Sequence, residues 1–530
     1  MGRRSCSPRV RVAAPLFLVV YLCAAAGASA DVRAAGGQMV TRTQTFDTNP
    51  NWDGHNNRSS TPPSRTVTQN FGYKATANAG GAPGEVGGLI NPAGEAAYYA
   101  KPFPVRDFEQ TLSASGKMKL DGGGHTLLGF FNGNTVNEWR TPNSVVLRLY
   151  GRGDHFLAYP EYGTARWRAG SGGEFSFPSN QVLDWTLNYN PAGNGTITAV
   201  VGNATVGHQT MVAPLDPAHR LDGAAFDHFG LLNVNKSYDS PGQIWLDDVS
   251  INGGPPDAFN GNPAWDALRN NTTYSSNNVR FRFNFGYSAT NNAGGARPGE
   301  MGGNLFRGDS RQASTMAYYG DRLNETLTLD DPLAASGKAS FHRGVSDSTT
   351  HLGFFHSTDS VRVSQAQASS VPENFLGVTI EGPSSEGFNF YPTYGLDAEG
   401  QGSGGNRGPS PPYIYPDGSS HDWSLTYDPN ANSGLGAIFI TLDGQPGTML
   451  LRPGDRENGA HFNRFGIITT HIDGNGQTVY FDDLTYTDGF NVPEPGAGCA
   501  AFVLLLLVGL NSRGIRPAAP NRLGSGASVP

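Results

Sequence analysis

Cysteine is nearly missing from this chain of 530 residues. The three that occur are Cys6, Cys23 and Cys499, so the whole stretch between the last two has none. A disulfide scaffold, thiolate metal ligation and a cysteine nucleophile are all excluded there. Charge is also sparse: Asp, Glu, Lys and Arg make up 15% of residues, with a formal net charge of −8. Phosphate binding needs a basic surface, so a nucleic-acid partner is excluded. Neither of the chain's two long apolar runs reaches the ~20 residues that cross a bilayer comfortably. Catalytic motifs are missing as well. There is no His-Glu-x-x-His, no paired Cys and no glycine-framed serine after a strand pattern, and Lys117 and Lys338 lack the upstream glycine of a phosphate loop. Glycan hydrolysis by two carboxylates needs a pair held ~5 to 10 Å apart. No strand carries alternating carboxylates that would provide one, and no catalytic residue is assigned.

The two ends do carry signals. Arg3, Arg4, Arg9 and Arg11 precede an apolar run, Val12 to Ala26, and a small-residue stretch ending Ala28-Ser29-Ala30. Residues 1–30 therefore form a secretory signal, expected to be helical. At the other end Val492-Pro493-Glu494-Pro495 is followed by an uncharged, mostly apolar run, 496–510, and then by Arg513 and Arg516. Segment 492–516 resembles the PEP-CTERM sorting signal of Gram-negative bacteria, which has a Pro-Glu-Pro motif, a hydrophobic segment and basic residues in that order. The resemblance implies that Pro493, Glu494 and Pro495 form the sorting motif and that an exosortase-like processing enzyme is a partner. It also implies a short apolar helix, membrane association through that segment, and a destination in the cell envelope or extracellular matrix.

Between the signals one unit is written twice. Asn49-Pro50-Asn51-Trp52-Asp53 returns as Asn262-Pro263-Ala264-Trp265-Asp266, and Asn70-Phe71-Gly72-Tyr73 as Asn284-Phe285-Gly286-Tyr287. Ala97-Tyr98-Tyr99 returns as Ala317-Tyr318-Tyr319, Leu128-Gly129-Phe130-Phe131 as Leu352-Gly353-Phe354-Phe355, and Asp247-Asp248 as Asp482-Asp483. The order is colinear, which predicts two domains, 40–252 and 257–488. Within each copy the apolar period is two, and runs stop at Asp-Gly or Asn-Gly. Trp423, Leu425 and Tyr427 alternate with Ser424 and Thr426, and Ile438 to Leu442 runs into Asp443-Gly444. The expected fold is all-β, two tandem β-sandwich or jelly-roll domains. The series Asp422 to Tyr427, Leu442-Asp443-Gly444, Phe462 to Gly466 and Val479 to Leu484 resembles the C-terminal half of concanavalin A-like, laminin-G-like jelly rolls. That group includes sugar-binding modules, glycan hydrolases, lyases and adhesion modules, so the fold leaves function open.

Candidate residues follow from the repeat. Tyr159 and Tyr162 match Tyr391 and Tyr394 beside Pro and Gly at strand ends, where flat rings would stack on sugars; core packing is the alternative. Trp139 and Trp167 are unmatched between copies and lie near turns. Alternation groups Asp247 with Trp245, Val249 and Ile251, and Asp482 with Tyr480, Leu484 and Tyr486. A carboxylate on an apolar face must be paired, hydrogen-bonded or metal-bound. The family resemblance adds a possible structural calcium at Asp247 and Asp482; hydrogen bonding to backbone N–H groups or to an Arg is the other reading. Glu85 and Glu300, in repeated Pro-Gly-Glu-x-Gly-Gly loops, are expected to bind the N–H groups of a tight turn. The function expected is exported, non-catalytic glycan binding or a structural role. The alternatives are an extracellular polysaccharide hydrolase or lyase and a purely structural adhesion protein.

Overall fold

The computed structural model describes residues 38–491 apart from 60–63, 136, 238, 365–370, 398–403 and 406–410. The secretory signal at 1–30 and the sorting segment at 492–516 lie outside the described residues. The body, 41–487, is a unit distinct from the chain ends, whose described residues are 38–40 and 488–491.

The body is all-β and antiparallel, built as two sandwiches of the same strand order. In the first copy the back sheet runs Arg65–Lys74, Glu85–Ile90, Gly242–Ile251, the start of Leu112–Phe131, Leu183–Asn190, Thr196–Asn203 and Gly207–Pro214. The front sheet runs Tyr98–Arg106, Phe226–Asn233, the end of Leu112–Phe131, Ser144–Gly153 and His155–Gly163. One strand, Leu112–Phe131, thus belongs to both sheets. It crosses between them at Gly122 and Gly124, whose φ angles of 86° and 78° suit glycine and strain other residues. In the second copy two strands, Leu333–Gly344 and Ser348–Phe355, replace it. Its back sheet continues through Ser420–Asp428, Ala437–Leu442 and Gln445–Leu450, and its front sheet through Phe375–Ser384 and Gly387–Gly395.

Alternation decides which side chains are buried. In Leu183–Asn190 the apolar Leu183, Trp185, Leu187 and Tyr189 face inward while Asp184, Asn188 and Asn190 are exposed. Trp423, Leu425 and Tyr427 do the same in the second copy. Each such large side chain contributes roughly 1.5–3 kcal/mol through area removed from water.

The two repeats exchange their leading segments. Asp53–His55, at the start of the first repeat, pairs with Tyr318–Thr328 of the second sandwich. Asp266–Leu268 and Asn271–Ser276, from the start of the second repeat, pair with the first sandwich at Tyr98–Arg106 and Arg65–Lys74. The seams match residue by residue. Trp52 packs against Phe46 and Tyr319 at 5.0 and 5.8 Å between ring centroids. Trp265 packs against Phe259 and Tyr99 at 5.4 and 5.7 Å. The Phe285 N–H donates to the Asn57 carbonyl at 3.0 Å, and the Phe71 N–H to the Asn270 carbonyl at 2.9 Å. A Cβ on Gly299 would lie 1.9 Å from the Phe46 carbonyl oxygen, and one on Gly84 1.9 Å from that of Phe259, so both loops need glycine for the strap to sit down. Each sandwich core is therefore completed by a strap that the repeat pattern assigns to the other copy.

Candidate binding cleft

The front sheets turn one face inward and one away from their own cores. Tyrosines three apart on a strand must fall on opposite faces. Tyr162 and Tyr394 are core residues, 2% and 1% exposed. The Tyr162 hydroxyl lies 3.0 Å from His219 Nδ1 and accepts from the Asp216 N–H, while the Tyr394 hydroxyl donates to Asp455. Burial, and then the Asp455 carboxylate, push the Tyr394 hydroxyl up to about 12. Neither ring has a free face, so these two are corrected from ligand-stacking to core residues. Alternation turns Tyr159 and Tyr391 the other way, onto the outer face, where Tyr159 is half-buried and Tyr391 is buried at 7% exposure. Burial raises the Tyr159 hydroxyl above its ordinary range.

On the outer face of the first copy, Arg148 is wholly buried and makes a two-pronged bond to Glu161 at 3.0 and 2.8 Å. His125 stacks on Tyr150 at 3.8 Å, and burial lowers its pKa, keeping the ring neutral. Trp139 stands over this cluster. Arg148 and Lys236 lie 4.6 and 4.7 Å from its ring centroid, and Arg148 also donates to its carbonyl. Two cations against one indole hold the ring in place before any ligand arrives.

The outer face of the second copy is polar where the first is aromatic. Arg307 donates to Thr349 Oγ1 and to Glu381, both at 2.8 Å, and the Tyr391 hydroxyl donates to the other Glu381 oxygen at 2.5 Å. Arg343 reaches from the second copy to Glu138 of the first at 2.6 Å and to the Asn137 carbonyl at 3.0 Å. Burial pushes the Glu138 carboxyl up to about 7, which the Arg343 charge opposes. This cross-copy contact brings Trp139 to the second sheet. It lines a cavity of about 270 Å³ with Arg307, Asp347, Glu381, Ser384 and Asn389. Trp167 and Phe388 lie on a smaller adjoining recess that also includes Trp139. Sequence reading picked out Trp139 and Trp167 as unmatched aromatics but missed Arg307, Glu381 and Asn389. The signal available was the polar substitution itself: Glu381 stands where strand register places Tyr150 in the first copy.

The paired aspartates occupy β-bulges. Asp248 and Asp483 adopt φ of 50°, and strand register shifts beside them. The extra residue changes the phase of alternation, so the core residues are Leu246 then Val249, and Phe481 then Leu484. Asp247 and Asp482 therefore lie on the outer face, not with Val249 and Leu484, which corrects the alternation reading. One oxygen of each accepts the next residue's N–H, at 2.8 and 2.7 Å. The other oxygen sits against Gly80 or Gly295, where a Cβ would come within 1.4 or 1.8 Å. Burial, with the like charges of Asp483 and Glu300, raises Asp482 to about 7; the Asp247 carboxyl is raised for similar reasons. Calcium takes six to eight oxygens. Among the described residues neither aspartate belongs to a convergent group of three acidic or histidine side chains, while Asp482 Oδ2 is buried without a hydrogen-bond partner. Glu85 and Glu300 accept from the Asn78 and Ala79, and the Asn292 and Ala293, N–H groups, tying down the adjoining turns.

No protein-family model matches the chain, and no curated protein does. Several solved structures are similar at low scores. The Emp47p carbohydrate recognition domain matches at 12% identity and TM-score 0.25, covering 39% of this chain and 88% of that one. Domains LG4-5 of the mouse laminin alpha1 chain match at 11% and 0.21, covering 80% and 93%. An endo-beta-1,4-glucuronan lyase from the fungus Trichoderma reesei matches at 10% and 0.22, covering 40% and 94%.

Proposed function

We propose that this is an exported surface or matrix protein that binds polysaccharide without cleaving it. The observation that carries the reading is the cleft in which Trp139 faces Arg307, Glu381, Ser384 and Asn389. A fixed aromatic ring with a few convergent polar groups is the chemistry that holds a sugar: apolar C–H faces stack, and hydroxyls bond to amide, carboxylate and guanidinium. Both oxygens of Glu381 are already engaged, by Arg307 and Tyr391, which suits orientation more than proton transfer. A glycan array with the purified chain tests the reading. Binding that falls at least about tenfold in Trp139→Ala, equivalent to ~1.4 kcal/mol, supports it. Chain shortening or unsaturated sugar ends released from a polysaccharide panel would favour the hydrolase or lyase alternative. No binding with no turnover would leave the structural adhesion role.

Export and sorting belong to the same proposal. The Pro493-Glu494-Pro495 motif and the apolar run after it would deliver the body outside while the tail pauses in the membrane, because Arg513 and Arg516 disfavour translocation. Mass spectrometry of C-terminal peptides from the native host tests this. An intact tail through residue 530 in the mature protein would overturn it.

A further inference from the structure

We infer that the second copy carries a transition-metal site formed by His356, Asp359 and His461, suited to a Zn²⁺-like ion. Among the described residues this is the one place where three such side chains bring their ligand atoms within 4.8 Å of one another. His356 Nδ1 lies 2.9 Å and His461 Nε2 3.1 Å from the same carboxylate oxygen, Asp359 Oδ2. Two nitrogens and an oxygen on a tetrahedral ion, with bonds of 2.0–2.1 Å, stand about 3.3 Å apart. The two histidine–carboxylate separations are thus already close to the spacing that an ion would impose, and the two ring nitrogens lie within 4.8 Å of each other.

The hydrogen bonding also points to an ion. His356 Nδ1 faces Asp359 Oδ2 and, at 3.2 Å, the Asp359 N–H. A ring nitrogen carrying a proton satisfies the carboxylate and opposes the N–H; without the proton it does the reverse. A cation between them takes the Nδ1 lone pair and the carboxylate together and removes the repulsion between these two acceptors, in exchange for the weaker N–H contact. Supporting groups orient the donors, as metal-ligating histidines require. His461 Nδ1 lies 3.9 Å from Asp397 Oδ2, and Asp397 Oδ1 accepts from Asn374 Nδ2 at 2.9 Å. Asn374 Oδ1 in turn accepts the His461 backbone N–H at 2.9 Å. Arg362 takes the other oxygen of Asp359 at 3.2 Å, leaving Oδ2 for the site. The three side chains remain 19%, 20% and 34% exposed, so an ion can enter and a water can complete the shell.

The first copy lacks these donors. Matched strands place Asn132 where His356 stands and Ala225 where His461 stands. There the Asn132 amide closes the gap itself, donating to the Ala225 carbonyl at 3.3 Å. Two imidazoles and one carboxylate select a borderline ion such as Zn²⁺ or Co²⁺ over Ca²⁺ or Mg²⁺, which prefer oxygen.

Calorimetric titration of Zn²⁺ into the metal-stripped full chain, with Co²⁺ as a spectroscopic probe, tests the site. The expected result is one strong site per chain and visible Co²⁺ bands. Both are weakened at least about tenfold by His461→Ala and by Asp359→Asn, and unchanged in Asn132→Ala. Circular dichroism spectra like those of the unmodified chain separate ligand loss from misfolding. If a ligand variant misfolds, histidine protection from diethyl pyrocarbonate by Zn²⁺ in the unmodified chain, read at His356 and His461 by peptide mass spectrometry, decides instead. No Zn²⁺ binding, binding indifferent to both variants, absence of that protection, or a preference for Ca²⁺ would overturn the proposal.

Discussion

The two sandwiches have one strand order but are closed in different ways. The first takes its strap from residues that come just after it in the chain, 257–276, across the short link Asn252-Gly253-Gly254-Pro255-Pro256. The second takes its strap from the far N-terminal side, where Asp53–His55 lies against Tyr318–Thr328 and Thr43 Oγ1 sits 3.1 Å from Thr485 Oγ1. The first strap adds a six-residue strand, Asn271–Ser276, to the back sheet. At the matching edge of the second copy the described residues show an isolated bridge, Arg58 to Asn284. Equivalent contacts are thus held at different entropic cost, because the second closure spans far more chain.

Truncating the strap anchors should give the largest effect and the sharpest test of this difference. Phe46 and Phe259 are both wholly buried. Phe46→Ala should destabilise the second sandwich and Phe259→Ala the first, each by about 3–5 kcal/mol. Hydrogen exchange mapped to 64–252 and 284–487 reads which copy opens. If both variants loosen the same copy, the exchange of straps is wrong.

The buried aspartates come next. Asp482 is raised to about 7 in the folded chain, so the native state binds more protons than the unfolded one between about pH 4 and 7. Stability from this group therefore falls as pH rises through that window. Asp482→Asn should flatten the slope measured by denaturant melts at pH 4.5 and 7.5, and Asp247→Asn should act the same way. An unchanged slope in Asp482→Asn would remove the burial argument.

Tyrosine hydroxyls give a smaller contrast. Tyr394→Phe and Tyr162→Phe each take a hydroxyl from a buried bond and should cost roughly 1–2 kcal/mol in urea melts. Tyr159→Phe, on the outer face, should stay within about 0.5 kcal/mol. Equal losses would erase the division into core and outer tyrosines. Smallest of all, calcium added to chelator-treated protein should move the melting temperature by less than about 1 °C, since an ion stabilises only where it binds the native state. A larger rise that vanishes in Asp482→Asn would assign calcium to that carboxylate.

Much of the fold was legible because alternation and repeated motifs are local. The period of two set the strands, and the matched Asn-Pro-x-Trp-Asp segments marked equivalent places. Those segments show that Trp52 and Trp265 do the same job, but not which sandwich each one serves, because identical partners exist in both copies. The bulges at Asp248 and Asp483 hid the phase of the last strand, since one inserted residue reverses every assignment after it. The tyrosine division was readable in principle from a spacing of three. The cleft was not, because Trp139 meets Arg307 and Glu381 only through packing between distant parts of the chain.

The crossed straps also order events as the chain is made. The first sandwich can close as soon as residue 276 has appeared. The second waits for its last strand, although its own strap was made before anything else in the body. Until then Phe46 and Trp52 are apolar surface with no partner, on a segment able to pair with the wrong edge. Arg42, Asp47, Asp53 and Arg58 punctuate that segment, and Pro50 removes a donor beside Trp52, features that discourage stray pairing. A slow final phase in refolding, confined to the second sandwich, is the kinetic mark this connectivity should leave.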